Sequence, residues 1–216
     1  MKALVILAAS AALVATASTA QAGETVSKTY DLNDFSAIEI GGAYQLDVEV
    51  GGDYSVTLSG PEEEMARAEA VVRDGTLTLG TKKRIRGVRH HGDHESVLAV
   101  VTMPALDRLS VSGVVDANIT DVDAGAFRVN LSGVGEVTIE GRCGALDARV
   151  SGVGELNASE LECRTADVSL SGMGEASVYA REAATAEVSG MGEINIYGSP
   201  KKVDKRGGFF AEITVH

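Results

Sequence analysis

Hydrophobic and polar residues alternate along most of the chain after residue 22, and short glycine-containing phrases interrupt the alternation. A period of two is typical of β-strands with one buried face, whereas an amphipathic helix repeats every 3.6 residues. Four interrupting phrases are nearly identical, namely LSGVGEV, VSGVGEL, LSGMGEA and VSGMGEI. The pattern therefore predicts a strand, a tight bend and a second strand in each unit.

The spacing of the phrases predicts how these units are arranged. Their serines, together with the serine of VSGVVDA, recur about every 20 residues: Ser112, Ser132, Ser151, Ser171 and Ser189. A β repeat of this length is typical of a solenoid, in which equivalent residues stack about 4.8 Å apart. We expect an all-β fold, a single-stranded right-handed parallel β-helix with about 20 residues per coil. Its corner glycines are expected to need positive φ.

The remaining segments are expected to complete the same solenoid. The sequence FSAIEIGGAYQLDV matches LDRLSVSGVVDANI without a gap, so residues 35–50 are predicted to form a degenerate first coil. Residues 51–103 are expected to be an insertion, with a short helix near residues 61–72 because Pro61 and three glutamates are typical of a helix start. Residues 104–200 give the regular coils. Residues 201–216 give a C-terminal cap, whose basic side chains would protect an open sheet edge.

The first 22 residues have the pattern of a secretory signal peptide. Lys2 is followed by a short apolar run and by Ala20-Gln21-Ala22 at the exit. We expect an exported domain over residues 23–216, in the periplasm, at the cell surface or outside the cell, with no transmembrane segment after cleavage. The formal net charge of −12 argues against nucleic acids and anionic membranes as partners.

The two cysteines test the register of the repeat. Cys143 and Cys163 occupy the same position in adjacent units. Stacked Cα atoms about 4.8 Å apart can be joined by a disulfide, and an exported protein meets oxidising conditions. We therefore expect a Cys143–Cys163 disulfide, with two unpaired thiols as the alternative.

One acidic residue follows each serine by four positions, and a polar residue follows two positions later. By alternation both sets should point outward, and stacked carboxylates should repel each other. Hydrogen bonds to the corner N–H groups, splaying into solvent, and bound cations such as calcium are three ways to relieve that repulsion. No other cofactor is expected. The candidate binding residues are Asp116, Glu136, Glu155, Glu175, Glu193, Asn118, Asn157 and Asn195.

Other candidate chemistry is weaker. His90, His91 and His94 lie beside Asp93 in a polar stretch, which indicates either a transition-metal site or a loop without a ligand. Two carboxylates of the acidic set could cleave a glycoside. However, each unit offers the same side chains, without the asymmetry that separates an acid from a base. The sequence therefore predicts no catalytic residues.

Several motifs together resemble the bacterial head GIN domain, a family of unknown function labelled a putative auto-transporter adhesin. They are the SGVGEV phrases, FSAIEIGGAYQLDV, VVRDGTLTLG and INIYGSPKKVDKR, and they span roughly residues 30–206. The resemblance implies an exported right-handed β-helix and brings no catalytic residues. The chain departs from the family pattern in having Glu where Asp is more usual, and in the ending RGGFFAEITVH, where a further Ser-Gly phrase would be expected.

The combined prediction is an exported, non-enzymatic β-helix that serves as an adhesin or as a binding or scaffold module of the cell envelope. Its partner would be a surface glycan or an envelope protein. One alternative is a carbohydrate-active enzyme that uses two carboxylates of the acidic set. The other is a purely structural periplasmic protein without a small ligand.

Overall fold

The computed structural model describes residues 25–82 and 96–216, which are almost entirely β-strand. The elements in chain order are β1 Thr25–Tyr30, β2 Ala37–Ile40, β3 Ala43–Val50, β4 Ser55–Pro61, α1 Glu62–Met65, β5 Ala68–Arg73, β6 Thr76–Thr81, β7 Val97–Met103, β8 Arg108–Val111, β9 Val114–Leu131, β10 Val134–Val150, β11 Val153–Leu170, β12 Met173–Val188, β13 Met191–Tyr197, β14 Lys202–Gly207 and β15 Ala211–Val215.

These strands form a β-solenoid of about five turns, which confirms the predicted fold class. Strands β9 to β12 each follow most of one coil and pair in parallel with the next. Equivalent residues of the repeat stand opposite each other, as Glu136 does to Glu155 and Cys143 to Cys163. Parallel stacking buries every second side chain in one continuous core of Val, Leu, Ile and Ala.

The insertion does not separate the first coil from the regular coils. Ile38 pairs with Leu109 and Tyr44 with Val115, in the register of the ungapped sequence match. Strands β6 and β7 pair in parallel with the other side of β2 and β3. The insertion thus adds a coil beyond the first one, and the antiparallel strands β1, β4 and β5 cover this end of the stack.

The predicted helix near residues 61–72 is wrong over most of its length. The helix covers only Glu62–Met65, and the following residues form β5. The reason is the local pattern, since Ala68 and Ala70 are buried and alternate with the exposed Glu69. Antiparallel pairing with β6 satisfies the backbone of this segment. The first-turn glutamates were therefore a correct signal for a helix start but not for its extent.

The C-terminal segment continues the stack. Strand β14 pairs with β12, and β15 pairs with β13 with Glu212 opposite Glu193. Residues 201–216 thus cover the last regular coil by forming a further one, although they lack the Ser-Gly phrase. Lys205 donates a 2.9 Å hydrogen bond to the carbonyl oxygen of Ile213 within this coil.

The corner glycines are needed mainly because adjacent coils approach closely. A methyl group on Gly133 would collide with the carbonyl oxygen of Gly113 in the next coil, although Gly133 does not have positive φ. In the second glycine column, Gly135, Gly154 and Gly174 combine such a collision with positive φ, which is +142° for Gly135, whereas Gly192 shows the collision alone. Positive φ was therefore the wrong reason for the first glycine column, where close backbone stacking excludes a side chain.

The predicted disulfide is confirmed. Cys143 and Cys163 are bonded, with Cα atoms 4.4 Å apart in paired strands. Both cysteines are buried in the core. The bond therefore ties two adjacent coils together in the middle of the stack.

Candidate functional site

The predicted acidic residues lie in one row along the solenoid axis. The register places Glu136, Glu155, Glu175 and Glu193 in successive coils, with Asp116 before them. It also places Glu212 after Glu193, which sequence reasoning missed because GGFFAEI lacks the Ser-Gly phrase. We call this row the acidic column: Asp116, Glu136, Glu155, Glu175, Glu193 and Glu212.

The carboxylates of the acidic column influence each other. The pKa of Glu155 is raised, first by partial burial and then by the negative charges of Glu136 and Glu175. The corner N–H groups do not relieve this repulsion, because they donate to carbonyl oxygens of the adjacent coil. The N–H of Val153, for example, lies 3.1 Å from the oxygen of Gly133. The corner N–H groups, which were one of the three possible ways to relieve the repulsion, are therefore used in backbone hydrogen bonds.

The repulsion is reduced instead at one end of the column, by polar residues that lie two positions after the acids. Glu175 accepts hydrogen bonds from Asn195 at 2.9 Å and from Ser177 at 3.3 Å. Asn195 also contacts a ring nitrogen of His216 at 3.0 Å, and that ring stacks on Tyr197. In the described part of the chain, Glu175 is the only acid of the column with a side-chain hydrogen bond.

The predicted asparagines therefore have different surroundings. Asn195 is buried within this network and is not open to a ligand. The side-chain oxygen of Asn157 accepts a 2.7 Å hydrogen bond from the hydroxyl of Ser159. Asn118 is exposed at the other end of the row. The structure stacks all three residues, but only Asn118 and Asn157 retain substantial exposure.

A second row, which sequence reasoning missed, is apolar and exposed. It consists of the residues between the two glycines of each phrase, about half of whose surface is open to solvent, from 47% for Val153 to 56% for Val114. Phe210, which directly precedes the paired residue Ala211 and is 70% exposed, extends the row. We call this row the apolar column: Val114, Val134, Val153, Met173, Met191 and Phe210.

The acidic column and three residues of the apolar column, Val153, Met173 and Phe210, line an open groove of about 1050 Å³, with Phe210 and Glu212 at one end. The floor between them consists mainly of the second glycines, Gly135, Gly154, Gly174 and Gly192. Because glycine has no side chain, the backbone is accessible between the apolar and acidic rows. The repeat thus builds a straight groove with one apolar wall and one negatively charged wall.

Several acids on other faces have arginine partners, whereas those of the acidic column do not. Asp123 lies 2.6 Å from Arg142, and this contact lowers the pKa of its carboxyl. Glu162 likewise forms an ion pair with Arg181. Within residues 25–82 and 96–216, no residue of the acidic column forms an ion pair. The groove therefore carries unneutralised negative charge.

Neither a metal-binding cluster nor a membrane-spanning helix is found among the described residues. Among the residues that the structure describes, no three His, Cys, Asp or Glu side chains are grouped so that they could hold a metal ion. The predicted signal peptide and the candidate metal residues His90, His91 and His94 lie outside the described residues. Across the described ranges, no helix is long and apolar enough to cross a bilayer.

The stacked coils and the regular, exposed face define a β-solenoid repeat protein. The family model described as "Putative auto-transporter adhesin, head GIN domain" matches residues 34–200, and the chain belongs to this family. The resemblance seen in the repeated phrases is thereby confirmed. No curated protein matches the chain significantly.

A solved structure shows the same fold at low sequence identity, and two further structures match with TM-scores below 0.5. A putative adhesin from Bacteroides fragilis has a TM-score of 0.69 and 21% identity, over 90% of this chain and 98% of that one. A putative lipid binding protein from Parabacteroides distasonis has a TM-score of 0.49 and 20% identity, over 89% and 97%. A putative adhesin from the same species has a TM-score of 0.49 and 17% identity, over 89% and 98%.

Proposed function

We propose that this protein is a non-enzymatic binding module of the cell envelope, and that the groove face is its contact surface. The observation that carries the proposal is the evenness of that face. Six acidic residues stand in one register along the stack, and an exposed apolar residue lies two positions before each of them. Such a ribbon suits attachment along its length, whereas glycoside cleavage needs two carboxylates in different environments.

Location outside the cytoplasm is part of the same proposal. The Cys143–Cys163 disulfide supports it, because structural disulfides form and persist in oxidising compartments. Membership of an adhesin family also favours a cell-surface or extracellular site. The signal-peptide pattern of residues 1–22 supplies the route, and fractionation of cells that express the full chain would test it.

The binding proposal predicts that the purified oxidised domain sediments with envelope fractions of the bacterium that produces it. A glutamine variant of the acidic column, Glu155→Gln with Glu175→Gln, should bind at least several-fold more weakly. The matched control replaces acids of another face, Asp167→Asn with Glu187→Gln, and should bind like the wild type. Equal binding by all three proteins would exclude the groove face as the contact surface.

A further inference from the structure

The apolar column is the feature of the surface that most needs a partner. Single exposed hydrophobic residues are ordinary, but a contiguous row marks an interaction surface. Here the same corner exposes Val or Met in five successive coils, and Phe210 extends the row. These side chains lie outside the core and keep about half of their surface open to solvent, so core packing does not explain the row.

We propose that the groove binds an amphipathic helix of a partner protein. The helix lays its apolar stripe on the apolar column and a neighbouring stripe of Lys or Arg on the acidic column. This inference rests on the binding function proposed above, and it narrows the partner to a protein with a cationic amphipathic helix. Helices that place an apolar face in a groove are a common mode of peptide recognition.

The spacing of the groove fits a helix better than an extended strand. Stacked carboxylates repeat about every 4.8 Å, and one turn of helix rises about 5.4 Å. Alternate residues of an extended strand repeat about every 6.7 Å. The mismatch to the coil spacing is then about 1.9 Å per step, compared with about 0.6 Å for a helix. The acidic column is about 24 Å long over its five steps, which corresponds to about 16 residues of helix.

The width of the groove also fits a helix. Val153 and Glu155 lie two residues apart on the same side of one strand, so their Cα atoms are about 6.7 Å apart. A helix about 10 Å across can therefore touch both walls while it lies over the glycine floor. Met173 and Met191 add flexible side chains that adapt to the shape of an apolar stripe.

The negative charge of the groove favours a cationic protein as the partner over an anionic membrane or a second copy of this chain. The acidic column has no ion-pair partner among the described residues, so a basic stripe would neutralise it. An anionic membrane would be repelled by the same row. A second copy of this chain brings the same excess of acid, with a formal net charge of −12.

The test uses a synthetic peptide about 18 residues long, built from Leu, Lys and Ala, with Leu and Lys in adjacent helical stripes. A peptide of the same composition with scrambled order is the control. Binding to the oxidised domain is followed by calorimetry, and peptide helicity by circular dichroism. We expect saturable binding with induced helicity for the patterned peptide, and binding about tenfold weaker for the scrambled one.

Two variants separate the walls of the groove. Met173→Ser with Met191→Ser, and Glu155→Gln with Glu175→Gln, should each weaken the patterned peptide about tenfold. Only the first should leave the salt dependence unchanged between about 0.05 M and about 0.5 M sodium chloride. Asp167→Asn with Glu187→Gln is the matched control and should bind like the wild type. Melting curves confirm that each variant is folded.

Equal affinity for both peptides, or an unchanged affinity in the methionine variant, would overturn the proposal and leave only general charge attraction. Dimerisation that the methionine variant abolishes would overturn it in favour of a second copy. Binding to vesicles with anionic lipid would overturn it in favour of a membrane. If envelope fractions bind the domain while the patterned peptide does not, the helix proposal fails and the broader binding function stands.

Discussion

Replacing Glu155 by glutamine should stabilise the protein, because Glu155 lies between two like charges. Two unit charges at the coil spacing of about 4.8 Å repel by about 0.9 kcal/mol in water. Screening at physiological ionic strength reduces this to about 0.5 kcal/mol for each neighbour. Glu155 has such neighbours in Glu136 and Glu175, and its side chain has no hydrogen bond to lose among the described residues. The expected gain in the free energy of unfolding is therefore about 1 kcal/mol.

Urea denaturation of the oxidised domain measures this gain as a higher midpoint with an unchanged slope. In about 1 M salt the gain should fall below about 0.5 kcal/mol, because the Debye length shortens to about 3 Å. The control is Glu162→Gln, which removes the partner of Arg181 and should not stabilise. A Glu155 variant that is no more stable than the wild type at low salt would refute the repulsion argument.

The pH dependence gives a second check with a defined sign. The folded-state pKa of Glu155 is raised, so the folded protein takes up a proton on this group more readily than the unfolded chain. Ionised Glu155 therefore destabilises the fold at neutral pH, and this penalty disappears as the pH falls through its folded pKa to below the unfolded value of about 4.3. The advantage of the glutamine variant should be largest near neutral pH and should vanish in acid. A constant advantage would contradict the assignment.

Three further predictions concern the stack itself. Gly133→Ala should cost about 3 kcal/mol or more in urea unfolding, because of its collision with the next coil, whereas Gly125→Ala, with open space around it, should be nearly neutral. Replacing Cys143 and Cys163 by alanine should cost about 3 kcal/mol, and equal stability of reduced and oxidised protein would contradict this. The hypothesis that calcium bridges the acidic column predicts a higher melting temperature in millimolar calcium than in EDTA. That difference should be absent when glutamine replaces Glu136, Glu155 and Glu175, and an equal melting temperature in both buffers would reject the hypothesis.

The sequence was sufficient to predict the parts of the fold that depend on stacking. Every coil must bury the same positions, so the spacing of the serines determined which residues lie in one column, including Cys143 and Cys163. The acidic column followed from the same register. Repetition made the long-range contacts predictable from the sequence, because each coil pairs with a neighbour of nearly the same sequence.

The sequence was not sufficient to predict the structure where the repeated Ser-Gly phrase is altered or absent. The last coil replaces the Ser-Gly phrase by GGFF, so Phe210 and Glu212 were taken for a cap. The apolar column was not predicted, because a single residue between two glycines is typical of a bend and does not indicate that its side chain forms part of an exposed surface. The position of the insertion was also hidden, since antiparallel pairing by β4 and β5 depends on non-repeated segments. In such segments tertiary contacts, rather than local pattern, decide the structure.

The disulfide in the middle of the stack has a mechanical consequence when the chain is pulled. Coils of a solenoid contact only their neighbours, so a pulling force applied to the C-terminus peels them away one at a time. Peeling through the coil between Cys143 and Cys163 releases no length, because the bond closes a loop with a sequence separation of 20. About 70 Å of extension is thereby withheld at about 3.5 Å per residue. Beyond this point the force passes through the bond directly from Cys163 to Cys143, and the loop between them stays closed.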